Sequence, residues 1–223
     1  LENKTALVLG ASGLVGAALV EILVSRNYYQ QIHLLVRRPL QLASGRCFQH
    51  VIDMDELQRY KHLFEVNDVF CCLGTTIKKA KSREAFRRVD YEYPVEAGQL
   101  AAQHHVDGYY IVTAMGASSR SSIFYSRVKG EVEDKLASLQ LRSLHIFRPS
   151  LLTGNREEYR FGERVAEKIS PFLNPLLVGP LKNYRSIEAS TVALSMALTA
   201  EKPVKGTYVH LSHEMADQVA RYS

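Results

Sequence analysis

The stretch Thr5-Ala-Leu-Val-Leu9-Gly10-Ala-Ser-Gly13-Leu-Val-Gly16 decides the fold. Lys4–Leu9 is a short, mostly apolar run with strand character. Glycines then recur every third position, and Leu14, Ala17, Ala18 and Ile22 fall at helical spacing over Gly13–Ser25. A strand that runs through a glycine turn into a helix is where an open α/β sheet binds phosphate, because the helix N-terminus points free N–H groups at the ligand. Glycine lets the backbone turn tightly and approach a pyrophosphate with no Cβ between them. The spacing is GxxGxxG rather than the commoner GxGxxG. It carries weight because it follows a strand, opens a helix and begins a βαβ unit. Gly10, Ser12, Gly13, Leu14, Val15 and Gly16 are therefore assigned to a dinucleotide phosphate site. Thr5–Val20 is nearly uncharged, yet it lacks a basic leader region and a small-residue cleavage site. It is also short of the roughly 20 apolar residues a membrane span needs.

Working outward, further strands are predicted at Ile32–Val36, Cys47–Ile52, Asp68–Leu73, Tyr109–Thr113 and Leu144–Phe147. Helices are predicted at Asp55–Phe64, at Arg83–His105 with a kink near Pro94, and at Ile123–Leu139. Short apolar strands alternating with helices give an α/β fold, a Rossmann-type doubly wound parallel sheet. Past Pro149 the pattern loosens. Pro171, Pro175 and Pro180 break up Ser170–Leu181, then a helix (Ile187–Ala200), a strand (Thr207–Leu211) and a helix (His213–Tyr222) follow. This reads as a small C-terminal substrate-side elaboration on a single domain spanning 1–223, with the cofactor part to about 150 and the substrate-side part about 151–223.

The chain has 223 residues, 46% hydrophobic and 23% charged, which excludes disordered, collagen-like and low-complexity descriptions. The net charge of +5 fits an anionic small-molecule partner as readily as nucleic acid. Cys47, Cys71 and Cys72 make no disulfide framework and read as apolar fillers in a reducing cytosol, so a cytoplasmic setting is expected. No histidine cluster has metal-ligand spacing, and no metal is expected.

Dinucleotide sites that prefer NAD(H) carry an acid roughly 20 residues past the glycines, on the ribose 2′-OH. Here the second strand ends in Arg37-Arg38. Guanidinium forks suit a 2′-phosphate, so NADP(H) is expected over NAD(H). Asp53, ending the third strand, is a candidate acceptor for the adenine amino group. Gly74 and Thr75 end the fourth strand, where the chain passes the cofactor's ribose and pyrophosphate. The basic run Lys78, Lys79, Lys81, Arg83, Arg87, Arg88 lacks the interleaved aromatics of a nucleic-acid module, so no nucleic-acid partner is expected.

Tyr125-Ser-Arg-Val-Lys129 places a phenol and an ammonium one helical turn apart. Reducing a carbonyl leaves an alkoxide that needs a proton. Tyrosine can supply it, and a nearby cation favours the phenolate form that gives one up. A hydroxyl on an adjoining strand orients the substrate oxygen, and Thr113 lies at the strand end where it is needed. Ser118, Ser119, Ser121 and Ser122 sit in the intervening loop as competitors. Chance supplies roughly 0.6 such Tyr/Lys pairs in a chain of this composition, so the pair matters for its place after the fifth strand.

Gly10–Gly16, Tyr125 with Lys129, and Arg148-Pro149-Ser150 together resemble the short-chain dehydrogenase/reductases, in the atypical branch with the GxxGxxG loop. Phe70-Cys-Cys-Leu-Gly-Thr-Thr76 and Tyr125-Ser-Arg-Val-Lys-Gly-Glu-Val-Glu133 are similar to the Tat-interacting-protein (CC3) type oxidoreductases and their bacterial NAD(P)-binding relatives. The resemblance covers nearly the whole chain and weakens between Glu157 and Pro180. It implies a Rossmann fold, NADP(H), and a hydroxyl/Tyr/Lys triad on Thr113, Tyr125 and Lys129. It also places Arg148, Pro149 and Ser150 beside the nicotinamide. Threonine stands where relatives carry serine, and no residue is assigned to the asparagine that many relatives use to relay protons to the lysine.

The leading expectation is an NADPH-dependent reductase of a small carbonyl compound. Arg156 and Arg185 are further candidates for an anionic substrate group, and Glu157–Pro180 for a substrate lip. The alternative is a non-catalytic, NmrA-like redox sensor that binds NADP(H) and acts through a protein partner. Sugar-nucleotide epimerisation is disfavoured, because few residues follow Pro149 to enclose so large a substrate. Monomer and homodimer both fit, and no membrane association is expected.

Overall fold

The opening stretch forms β1 (Thr5–Leu9), the Gly10 turn and α1 (Leu14–Arg26). The computed structural model describes residues 4–41, 45–154 and 185–222. The sheet continues with β2 (Gln31–Val36), β3 (Cys47–Val51), β4 (Asp68–Cys71), β5 (Gly108–Val112) and β6 (Ser143–Arg148). A separate parallel pair follows, β7 (Leu152–Thr153) with β8 (Ile187–Glu188), and then the last sheet strand, β9 (Gly206–Leu211). The seven sheet strands run in the order β3-β2-β1-β4-β5-β6-β9 and every pairing is parallel. The chain leaves β1 in one direction and returns at β4 in the other. The crevice at their carboxyl ends is the topological switch point of the doubly wound sheet.

Successive strand residues point to opposite faces, so β1 feeds two cores. Ala6 and Val8 join the cluster under α1, while Leu7 and Leu9 join the cluster on the other face. Leu7 and Leu9 are fully buried, each worth about 1.5–3 kcal/mol relative to exposure. On the first face α1 packs against α6 (Ala189–Ala200), which packs against α7 (Ser212–Tyr222). On the second lie α4 (Tyr93–Gln103), α5 (Phe124–Ala137) and a 3-10 segment, Met54–Phe64. Between them come the short helices α2 (Ile77–Ala80) and α3 (Arg83–Arg87).

Two predicted helices differ in the structure. Asp55–Phe64 forms 3-10 turns rather than an α-helix, interrupted at Glu56 and Tyr60; Met54, Leu57 and Phe64 are buried in the core, and Tyr60 and Leu63 pack against its edge. The predicted long helix Arg83–His105 is broken by a π-helical turn, Arg88–Glu92, and Pro94 starts α4 instead of kinking it. Proline has no N–H, so the α-helical bond from position 94 to the Asp90 carbonyl cannot form. The chain widens instead, with the Tyr93 N–H reaching the Arg88 carbonyl. The proposed lip Glu157–Pro180, Arg156 and the proline-broken Ser170–Leu181 lie outside the described residues.

Candidate active site

The glycines are forced by contact. Gly10 has φ +84°, and a Cβ on it would lie 2.6 Å from the Cys72 carbonyl oxygen. A Cβ on Gly16 would lie 2.1 Å from the Gly10 carbonyl oxygen. The turn is thus wedged between the ends of β1 and β4, with the Gly13 N–H closing it on the Gly10 carbonyl at 2.9 Å. Gly13 caps α1 without a side-chain bond, which leaves the first-turn amides to serve a phosphate. Ser12 is exposed on the lip, Leu14 half-buried and Val15 buried. Gly154, just past β7, lies over Leu14. These features fit a pyrophosphate cradle: the space beside the turn cannot take a side chain, and the donors face outward.

Arg37 and Arg38 stand exposed just past the end of β2. Asp53 is exposed, and its carboxylate accepts the Asp55 N–H at 2.9 Å, capping the 3-10 segment. Exposed Gly74 and half-buried Thr75 form the turn after β4.

Tyr125, Lys129 and Glu133 share one face of α5 at four-residue spacing. Lys129 is buried, and its ammonium lies 2.7 Å from Asp90 Oδ1, with the two side chains 5% and 1% exposed. Asp90 comes from the π-helical turn, and its Oδ2 accepts the Thr75 N–H at 2.9 Å. Burial works against the Lys129 charge, but the Asp90 carboxylate outweighs it, with a smaller contribution from Tyr125, and the ammonium pKa is held above its ordinary value. Tyr125 is half-buried, its ring 5.8 Å from that of Phe86.

Thr113 is buried at the end of β5, and its hydroxyl donates to Glu133 Oε1 at 2.6 Å. Arg148 holds the same carboxylate, its Nε lying 3.1 Å from both oxygens and Nη2 also donating to Oε2. The competing serines lie in a loop pressed onto α5: a Cβ on Gly130 would sit 2.1 Å from the Ser119 nitrogen. The buried Pro149 carbonyl accepts the Met115 N–H at 2.8 Å, and the Ser150 hydroxyl donates to the Arg185 carbonyl. The Arg148 and Ser150 side chains therefore spend their bonds on the protein.

The structure brings together the glycine turn, Gly74–Thr75, Lys129 and Tyr125, with Thr113 joined to their helix through Glu133. Sequence reasoning missed two members. Glu133 repeats the four-residue step from Tyr125 and Lys129, a signal that was there to read. Asp90 lies four residues before Pro94, and only the missing proline N–H marks it. Elsewhere, Arg87 pairs with Glu131, and Arg88 with Asp55 and Glu92, so acids take up part of the basic run. Burial pushes both Cys71 and Cys72 thiols up, leaving them inert at neutral pH. Among the described residues no group of three or more His, Cys, Asp or Glu is placed to hold a metal, and no helix is long and apolar enough to cross a membrane.

No family model matches the chain. It is 37% identical to HTATIP2 of Rattus norvegicus over 172 residues, 75% of this chain and 71% of that protein. It is 30% identical to the mitochondrial protein FMP52-1 of Scheffersomyces stipitis over 183 residues, 80% of this chain and 76% of that one. Among solved structures, a short-chain dehydrogenase/reductase superfamily protein from Agrobacterium tumefaciens with bound NAD superimposes at a TM-score of 0.71 and 14% identity. The match covers 97% of this chain and 81% of that one. The FMP52 proteins are named mitochondrial, which overturns the cytoplasmic expectation.

Proposed function

We propose, from the premise that this chain belongs to the family of HTATIP2 and FMP52 and carries the short-chain dehydrogenase/reductase Rossmann fold, that it is an NADP(H)-dependent oxidoreductase interconverting a small carbonyl compound and its alcohol. The observation that carries the reading is the meeting of Lys129 with the Gly74–Thr75 turn, on the helix that also presents Tyr125. A bound nicotinamide dinucleotide would supply or accept the hydride. Gly10, Ser12, Gly13, Leu14, Val15 and Gly16 would hold its pyrophosphate, and Arg37 and Arg38 a 2′-phosphate. Asp53, Gly74, Thr75 and the Arg148-Pro149-Ser150 segment complete the cofactor wall in this proposal.

In the reducing direction Tyr125 gives its phenolic proton to the substrate oxygen as negative charge develops there. The Lys129 ammonium supports the charge left on Tyr125 and would donate to the ribose of a bound cofactor. Thr113 polarises the substrate oxygen once its hydroxyl proton turns from Glu133 to the substrate. Arg148 keeps the Glu133 carboxylate satisfied during that exchange. Residues to about 150 form the cofactor half and those beyond it the substrate side. The FMP52 names support a mitochondrial setting.

Tyr125→Phe should lower NADPH-linked turnover of small aldehydes and ketones by about 100-fold or more, the scale of lost acid–base catalysis, with NADPH affinity unchanged. Full turnover in that variant would refute the mechanism. Replacing Arg37 and Arg38 together by alanine should weaken NADPH binding and spare NADH. Equal losses would refute the 2′-phosphate assignment. The engagement of the Thr113 proton by Glu133 favours a second reading, a dinucleotide-binding sensor without turnover. Tight NADPH binding with no turnover on such a panel, and a protein partner held only in one redox state, would select it.

A further inference from the structure

Asp90 and Lys129 form the most buried ion pair among the described residues. Burying two opposite charges adds little net stability, because desolvation offsets their attraction. The pair therefore needs another reason to sit here. Asp90 Oδ1 has the Lys129 ammonium, and among the described residues no other partner. Oδ2 takes the Thr75 N–H. A Cβ on Gly74 would lie 3.7 Å from Asp90 Oδ1 and 4.0 Å from the Lys129 nitrogen, so both charged groups sit directly against the turn. The carboxylate spans two segments that are distant in sequence and both assigned to the cofactor.

The backbone arranges this. Pro94 forbids the bond to the Asp90 carbonyl, the π-helical turn takes up the slack, and Asp90 projects from that turn onto α5. An ammonium has three donors. Asp90 takes one, leaving two for Tyr125 and for a vicinal diol. An amide in place of the carboxylate could serve Thr75 with its oxygen, but would then turn N–H groups toward the ammonium.

We propose that Asp90 is a positioning residue of this site: by bridging the Lys129 ammonium and the Thr75 amide, it holds lysine and turn as one preformed cradle for the nicotinamide-side ribose of the dinucleotide. The proposal rests on the reading of the crevice as a dinucleotide site. The groups facing Lys129 are Asp90 from the π-helical turn, Tyr125 from α5 and Cys71 from β4. With Asp90 neutralised, the only carboxylate among them is gone, and the burial that works against the Lys129 charge is left unopposed, so the ammonium gives up its proton more readily as pH rises.

The test is calorimetric titration of the full chain with NADPH, NADH and ADP between roughly pH 6 and 9, the range over which an unpaired buried lysine titrates. ADP probes the adenosine and phosphate end alone. Asp90→Asn should bind both dinucleotides about tenfold more weakly or worse, the scale of one charge-assisted hydrogen bond. The loss should deepen as pH rises, with ADP affinity unchanged. Dinucleotide binding like the wild type's, a flat pH profile, or a parallel loss of ADP affinity would each overturn the proposal. If Asp90→Asn does not fold, the double variant with Lys129→Met removes both buried charges. It should bind ADP normally and dinucleotides weakly, and normal dinucleotide binding there would overturn the proposal. A wild-type chain that binds ADP but neither dinucleotide would bring down the functional reading and the inference with it.

Discussion

Replacing Asp68 by asparagine should stabilise the protein at neutral pH. Asp68 opens β4 at the end of the sheet away from the cofactor crevice, and it is fully buried. Its Oδ2 accepts the Tyr29 hydroxyl at 2.9 Å. Its Oδ1 and the Tyr110 hydroxyl are buried, and the hydroxyl lies close to the carboxylate without a well-directed hydrogen bond to it. Burial pushes the carboxyl from its ordinary 3.8 up to about 6, against the Tyr29 hydrogen bond and Lys4, which pull it down. Between those values the folded chain holds a proton that the unfolded chain has released. That contribution to stability is complete below the lower value and is lost as pH rises through the higher one. A rise of about two in pKa corresponds to about 3 kcal/mol. Asparagine is neutral throughout, its oxygen can still accept from Tyr29, and its amide offers Tyr110 a donor. Asp68→Asn should therefore exceed the wild type by up to about 3 kcal/mol above pH 7, roughly 6–12 °C in Tm for a chain of this size. The gain should shrink toward zero near pH 4. Urea unfolding over a pH series measures it. A difference independent of pH, or a loss at neutrality, would refute the reasoning.

Glu133→Gln should cost about 2–3 kcal/mol by chemical denaturation, discounted because Arg148 is 28% exposed and keeps access to water. A loss under about 0.5 kcal/mol would show that the carboxylate does not hold the ends of β5 and β6. Gly16→Ala drives a methyl into the Gly10 carbonyl, so NADPH affinity should fall while circular dichroism stays native. Unchanged affinity would count against the cradle. His145 sits between Ser143 Oγ and His210 Nε2, each at 2.9 Å, and burial followed by His210 pushes it down to about 4. Its contribution to stability is complete above 6.5 and is lost as pH falls through about 4. His145→Phe keeps the ring stack with Tyr110 and Tyr208 and should flatten that acid-side loss. An unchanged acid limb would refute the assignment.

What the sequence made legible was local. The Gly10–Gly16 turn announces itself because three glycines must sit where a strand meets a helix. Tyr125 and Lys129 are legible because a helix repeats its face every four residues. Asp90 was hidden, because the residues around Arg83–His105 read as one helix and a π-helical turn leaves no period of its own. The engagement of Thr113 by Glu133 and Arg148 was equally out of reach, since it joins the ends of two strands to a helix by tertiary packing. The histidine pairs His33–His50 and His145–His210 arise from parallel strand register, which single-sequence patterning does not supply.

Tyr125, Lys129 and Glu133 hang from one helix, while Asp90, Thr113 and Arg148 meet them from three other segments. Helix α5 therefore acts as a ruler. A single residue inserted between Tyr125 and Glu133 would rotate everything downstream by about 100° and unseat at least one of the three contacts. Such an insertion or deletion would break the site even with every one of its residues unchanged in type. Any descendant of this chain that keeps the chemistry must keep the count of residues from 125 to 133.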